Sequence, residues 1–287
     1  MSNPANLLFI GLPGSGKTTF LAALWHVLDD RSSVTALKLT KLSGDRAYLN
    51  QITKEWRECS QVPRTSLQTE QVVILHLDGN GFGSFDLSVP DLAGEAFKQH
   101  LTERRMTRHH DAFVQEATGL MLFLHPDDIQ KGTQLTVARR LEAELSGAHE
   151  EDATAGSADV VNNAWSPESL PTQAKLVELL QFILERTQRN LRVAVVVSAW
   201  DLVDDLGAPH EFVARELPLF QQFLEANEDI LRYSVFGVSA QGGDITNEVQ
   251  KQTLLGLDDA LKRIKVRQDQ QTGHDITKPI AWLLEGR

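Results

Sequence analysis

The sequence predicts an α/β fold: a mostly parallel sheet with helices on both faces and an antiparallel edge hairpin. Three observations predict it. Short apolar runs suited to buried strands alternate with segments of helical periodicity along most of the chain. The first such run, Leu7–Ile10, passes through a glycine-rich turn directly into a helical pattern. Farther on, Val72–Leu77 and Phe85–Val89 flank Asp78-Gly79-Asn80-Gly81, the composition of a hairpin turn.

Taken in order, Leu7–Ile10 is short enough for a fully buried strand, and Thr19–Leu28 carries apolar residues at helical spacing, so the first helix is expected over about 16–29. Tyr48, Leu49, Ile52 and Trp56 share one face of a helix over 45–59. The hairpin follows, then a polar helix or movable segment over 95–116. Leu120–Leu124 is a buried strand ended by His125-Pro126-Asp127-Asp128. There the pattern lapses. Residues 130–146 can hold a charged helix, and 147–170 have the composition of a mobile loop, which together make a variable insertion near 130–170 within one domain. The α/β pattern then resumes. Lys175–Arg189 is an amphipathic helix, Val193–Val197 a central strand, 210–227 a helix, Tyr233–Val238 the last strand and 245–266 the last long helix. Lys278–Leu284 should pack on the domain, because exposing Trp282 beside its leucines would be costly. The domain is thus expected over 1–270, with 271–287 as a packed C-terminal extension.

Composition narrows the function classes. The 287 residues carry a formal net charge of −11, and 41% are hydrophobic, enough for a substantial core. Such acidity argues against a broad nucleic-acid footprint, which needs a basic face to displace counterions. Cys59 is the single cysteine, so no disulfide can form within the chain, and a reducing compartment fits. The first ten residues lack a basic leader, and no stretch reaches the ~18 apolar residues of a membrane span. The expectation is a cytoplasmic protein.

The turn after the first strand carries the chemistry. Gly11-Leu12-Pro13-Gly14-Ser15-Gly16-Lys17-Thr18 fits G-x-x-x-x-G-K-[ST] without a mismatch, between a strand and a helix as that pattern requires. It defines a P-loop NTPase fold. Gly11, Pro13, Gly14, Ser15, Gly16 and Thr19 belong to a backbone that curls round phosphates, and a helix N-terminus faces them. Lys17 would reach the β- and γ-phosphates, and the Thr18 hydroxyl would ligate Mg²⁺.

Downstream, Asp91-Leu92-Ala93-Gly94 directly follows a strand, Ser198-Ala199-Trp200-Asp201 follows Val193–Val197, and Ser239-Ala240-Gln241 follows Tyr233–Val238. In this order the motifs resemble those of the Ras-like, translation-factor-related class of P-loop GTPases. The resemblance implies GTP or GDP as ligand with Mg²⁺. It makes Asp91 the metal-binding aspartate, Gly94 the γ-phosphate sensor and Asp201 the acceptor for guanine N1–H and its 2-amino group. It also puts the backbone at Ser239 and Ala240 against the base. Ser198 and Ala199 depart from the family's Asn/Thr and Lys, and Trp200 is a candidate for apolar cover of the base in place of that lysine. Asp201 could alternatively cap the segment beginning at Leu202. Thr65 is the first choice for the switch I threonine on Mg²⁺, with Thr69 second. Arg64 beside it could neutralise charge on the γ-phosphate, as an arginine does in heterotrimeric G-protein alpha subunits, or be a solvated surface residue.

Glu95 stands where the Ras-like pattern has a glutamine that orients the attacking water. An ionised carboxylate accepts but does not donate, and it repels the γ-phosphate unless compensated. Hydrolysis is therefore expected to be slow, to depend on a partner, or to use Glu95 as a base. The run Lys98, Arg104, Arg105, Arg108, His109, His110 is read first as a solvated helix face and second as a surface for an acidic partner. Adjacent histidines lack the i, i+4 spacing of a metal pair, so zinc is not expected. The layout as a whole is similar to the double-GTPase proteins of bacterial conflict systems, on Ile10–Leu24, Asp91–Glu95, Ser198–Asp201 and Pro279–Leu283. That likeness implies a GTPase switch acting on protein partners through its switch regions. An ATPase or nucleotide kinase on the same loop, and a nucleotide-binding scaffold with negligible turnover, are the competing readings.

Overall fold

The computed structural model describes residues 3–30, 34–43, 45–62, 71–79, 83–91, 100–132, 167–187 and 190–285. Nine strands form one sheet: β1 Asn3–Ile10, β2 Leu37–Ser43, β3 Gln71–Gly79, β4 Gly83–Asp91, β5 Gly119–Leu124, β6 Leu191–Ser198, β7 Leu231–Ser239, β8 Lys265–Gln268 and β9 Gln271–Gly273. Their order is β2-β3-β4-β1-β5-β6-β7-β8-β9. The five central strands, β4-β1-β5-β6-β7, pair in parallel; β2-β3-β4 at one end and β7-β8-β9 at the other pair antiparallel.

The mostly parallel sheet and the hairpin of β3 and β4 match the expected fold class. The edge is larger than expected, because β2 pairs outside the hairpin. Its sequence, Leu-Lys-Leu-Thr-Lys-Leu-Ser, alternates, with Leu37 fully buried, and a register irregularity lies between Leu39 and Lys41. A side-chain chain crosses these strands: Ser43 Oγ lies 2.8 Å from His76 Nε2, and His76 Nδ1 lies 2.5 Å from Asp86 Oδ1.

Parallel strands buried on both faces divide their side chains between two cores. Leu7, Phe9, Ala194 and Val196 point to one face, where α1 Lys17–Asp29, α2 Arg46–Arg57 and the C-terminal helix cover them. Leu8, Ile10, Val193, Val195 and Val197 point to the other, under α3 Arg108–Glu116, α4 Thr172–Thr187, α5 Pro209–Glu216 and α6 Pro218–Ala226. Local signals set the helix starts. Asp45 accepts from Tyr48 N at 3.0 Å and Thr107 from His110 N at 3.2 Å, each satisfying one otherwise orphaned N–H.

Three expectations need correction. The helix expected over 210–227 is two helices, because Pro218 has no N–H to continue the ladder and starts α6. The long helix expected over 245–266 is shorter: α7 spans Glu248–Leu255 and stops at Gly256. Asp259 then caps a single turn over Ala260–Arg263, and Lys265 begins β8. Tyr233–Val238 is consequently not the last strand; Val266 pairs with Val238 and carries the sheet two strands farther. Most of the charged helix expected over 130–146 and of the loop 147–170 lies outside the described residues; 130–132, which are described, are not helical.

The chain beyond 270 joins the same body. Residues 271–273 are β9, and α8, Lys278–Leu284, buries Pro279, Ile280, Leu283 and Leu284. Trp282 meets Phe236 edge-on at 6.2 Å and lies 4.1 Å from the Arg192 guanidinium. Of the basic run, Arg104, Arg105 and Arg108 are exposed, as a solvated face requires. Arg104 pairs with Glu178 on α4, and His110 is buried. His100 is buried and packs on Phe182 with ring centroids 3.7 Å apart.

Two predictions follow from packing and burial. A Cβ at Gly237 would lie 2.3 Å from the Trp200 ring, so Gly237→Ala should cost about 2–3 kcal/mol, measured as a lowered urea midpoint. Burial pushes the imidazoles of His26 and His100 below their usual pKa, with Arg57 adding to the effect at His26. Both histidines therefore bind protons less readily folded than unfolded. Their contribution is fully present above pH ~6.5 and is lost as pH falls through the depressed folded values. Denaturation midpoints from pH 7 to 5 should fall, and less steeply in His100→Asn.

Candidate functional site

The glycine loop sits at the carboxyl ends of β1, β5 and β6, where open α/β sheets gather their ligands. Gly11, Gly14 and Gly16 have φ of 151°, 80° and 89°. Gly16 is the decisive one. It opens α1 in the left-handed region, no side chain caps the helix, and a Cβ there would lie 2.9 Å from the Ser198 Cβ. The N-cap residue thus brings no side chain to the start of α1, an end that favours negative charge. At Gly11 a Cβ would lie 2.6 Å from the Phe123 carbonyl oxygen.

Lys17 is 6% exposed, and its ammonium is folded into the loop. It donates to the Gly11 carbonyl at 3.0 Å, the Leu12 carbonyl at 3.2 Å and Ser15 Oγ at 3.3 Å. A cavity of about 630 Å³ opens over the loop, within the range of small-molecule sites. Pro13, Gly14, Ser15, Gly16, Lys17, Thr18 and Thr19 line it together with Asp201 and Ala240.

Gly11 and Ser239 stand behind this wall. Ser239 is fully buried; its hydroxyl donates to Asp201 Oδ1 and accepts from Gly242 N at 3.2 Å. The sequence therefore places a hydroxyl where it restrains the carboxylate. Ser198, at the position of the family's Asn or Thr, donates to the Leu124 carbonyl at 3.1 Å and lies against Gly16, so it links the ends of β5 and β6 to the loop. Trp200 does not cover the cavity. It is 3% exposed and turned into the core, its ring over Gly237 and edge-on to Phe212 at 5.8 Å. The reason is local: Ala199 has φ of 45°, which turns the chain so that Trp200 goes inward while Asp201 lines the cavity.

Asp91 ends β4, the strand beside β1 on the side away from β5, and its side chain lies outside the description. Arg64, Thr65, Thr69, Gly94 and Glu95 also lie outside the described residues. The cavity has further walls that motif reading missed: Ser60–Val62, His125, Asp127, Asp128 and Gly243–Thr246. The available signal was positional, since His125–Asp128 follow β5 and 243–246 follow β7 at the ligand-gathering edge. Thr172 anchors the first of these turns, donating to the Asp128 carbonyl at 3.2 Å and accepting from Gln130 N at 2.9 Å.

The phosphate-type loop with its buried ammonium and a restrained carboxylate thus line one cavity of small-molecule size. Thr18 offers a hydroxyl oxygen suited to a hard cation such as Mg²⁺.

The model of the family described as Double-GTPase 1 matches residues 8–283, and the chain belongs to that family of P-loop GTPases. No protein of curated function matches the sequence. Among solved structures the chain is similar to the signal recognition particle receptor SRb–GTP/SRX complex from Chaetomium thermophilum, at 15% identity and a TM-score of 0.41, over 89% of this chain and 99% of that one. It is also similar to a nucleolar GTP-binding protein of Plasmodium falciparum, at 12% identity and a TM-score of 0.37, over 88% of each chain. A third is translation elongation factor SelB from Methanococcus maripaludis with a GTP analogue, at 12% identity and a TM-score of 0.36, over 88% of this chain and 34% of that one.

Gly16→Ala should lower stability by about 2–3 kcal/mol, one part from the disallowed φ and one from contact with Ser198. Combining it with Ser198→Gly should recover the contact part alone. Full additivity of the two changes in urea melts would show that the contact carries nothing.

Proposed function

We propose that the protein is a guanine-nucleotide switch with slow or partner-stimulated, Mg²⁺-dependent GTP hydrolysis. The observation that carries the proposal is that Lys17 and Asp201 line one cavity, with Asp201 restrained by the buried hydroxyl of Ser239. Lys17 and the loop amides bind the phosphates and offset negative charge that moves during transfer. Thr18 and Asp91, with Thr65, would hold Mg²⁺, whose role is to bridge phosphate oxygens and neutralise their charge. Gly94 would sense the γ-phosphate. Asp201 accepts from guanine N1–H and the 2-amino group, a pair of donors that adenine does not present. Ala240 offers its backbone at the same end.

Glu95 and Arg64 enter the reading as the groups that set the hydrolysis rate. A carboxylate at 95 orients water less well than an amide and keeps intrinsic turnover slow, which suits a switch completed by a protein partner at its switch regions. Family membership supports such a role, and we place the protein in the cytoplasm as a component of a bacterial conflict system. No helix among the described residues is long and apolar enough to cross a membrane.

Competition of GDP, GTP and ATP for the purified protein, with the nucleotide released on denaturation identified directly, tests the reading. Guanine nucleotides should win. Asp201→Asn should weaken GDP by about a hundredfold or more, because the carboxylate acceptor is lost, and should improve binding of xanthosine diphosphate, whose 2-oxo group accepts from the new amide. A preference for ATP in the unmodified protein would favour the competing ATPase or kinase reading.

A further inference from the structure

We infer that Trp56, Gln241 and Arg263 are positioning residues that hold the base-facing loop 239–243 in its recognition geometry by tying it to the carboxyl end of α2. The inference rests on the proposed guanine site and deepens it. Two hydrogen bonds make the tie, and Arg263, whose backbone packs against Gly242, braces it with three more. Trp56 Nε1 donates to the carbonyl of Ala240 at 2.9 Å, across 184 residues of chain. In return Gln241 Nε2 donates to the Trp56 carbonyl at 3.2 Å. Arg263 then donates from one guanidinium nitrogen to the carbonyls of Trp56 at 3.3 Å and Arg57 at 3.1 Å, and from another to Leu254 at 3.1 Å.

The chemistry of a helix end explains why a buried cation is there. The carbonyls at the end of α2 carry the negative end of its dipole, and that of Trp56 also accepts from Cys59 N at 3.2 Å. Arg263, 5% exposed, supplies fixed donors to them and lies 5.6 Å from the Trp56 ring. Its charge is thereby matched to oriented carbonyls rather than to a carboxylate. Trp56 itself is fully buried and flanked by His26 at 5.1 Å, so its indole has one orientation in which to donate.

The tie reaches the cavity at both of its ends. Ala240 and Gln241 are wall residues, and Ser239 behind them restrains Asp201. On the α2 side the chain continues from Trp56 into Ser60, Gln61 and Val62, also wall residues. The tie thus joins the wall residues that follow α2 to the segment assigned to the base. Neither the phosphate loop nor Asp201 takes part in it directly, so its loss should act on discrimination between bases more than on phosphate affinity.

Trp56→Phe keeps an aromatic ring in the pocket and removes the donor. Losing one buried hydrogen bond should raise the GDP dissociation constant about fivefold to tenfold. ADP, held by the phosphate loop alone, should bind as before, so the GDP-to-ADP ratio falls by the same factor. Arg263→Lys, which places a point charge where a fork of donors stood, should do likewise. A merely structural role would weaken both nucleotides equally or leave both unchanged, and either result overturns the inference. If Trp56→Phe does not fold, Gln241→Ala removes the return bond from a partly exposed side chain and decides the matter by the same ratio. Failure of the nucleotide reading would show in the unmodified protein, as absent binding or absent guanine preference. Failure of this inference shows only in the variants.

Discussion

The close approach of the glycine loop to the ends of β5 and β6 is the constraint on which the rest of the structure depends. At Gly11 the loop passes the Phe123 carbonyl, and at Gly16 it passes Ser198, both nearer than any side chain would permit. Three consequences follow from that contact. The loop has no slack, so Lys17 turns inward onto the Gly11 and Leu12 carbonyls rather than into solvent. Helix α1 begins at Gly16 without a side-chain cap, and its first residues line the cavity. And Ser198, small enough to fit against Gly16, brings Asp201, three residues later, into the cavity lining. A larger residue at 198 would push β6 and the loop apart, and with them the two ends of the site.

How much of this was legible in the sequence differs by kind of signal. The parallel core was readable because its strands are continuous apolar runs, such as Leu120–Leu124 and Val193–Val197, and burial on both faces requires that pattern. The edges were less so. Strand β2 alternates leucine with lysine and threonine, a pattern common to half-exposed strands and loops, and β8 with β9 is only a few residues long. Their pairing depends on neighbours far away in sequence, as Val266 on Val238 shows. The phosphate-type loop and Asp201 could be singled out because their residue types are tied to chemistry, and both line the cavity. Ser60–Val62 and Gly243–Thr246 could not, since nothing in those short stretches distinguishes a cavity wall from any other loop.

Trp200 shows why side-chain direction is the harder inference. Its position beside Asp201 makes it a natural cover for a base, yet the backbone turn at Ala199 sends it to the core. The converse holds for Trp56. It was readable as a core residue of α2 from helical spacing, while its link to Ala240 joins segments 184 residues apart and has no sequence signature. Tryptophan is useful at such a position because it contributes both buried area and a donor.

Electrostatics shapes what the site can hold. Four carboxylates, on Asp127, Asp128, Asp201 and Asp244, line a cavity whose one lysine among the described residues is Lys17, in a chain of net charge −11. A polyanion is therefore not drawn in by the general field of the protein. The acids of the turn Pro126–Asp128 are exposed, and salt screens exposed charges beyond about 8 Å at physiological ionic strength. The loop amides and the buried ammonium act at contact distance, where screening is weak. Short-range donors thus outweigh the surrounding acidity, and a divalent cation carried with the phosphates would shift the balance further. The same acidity disfavours anions that lack the geometry to fill the nest, so shape and local donors, rather than charge alone, decide what enters.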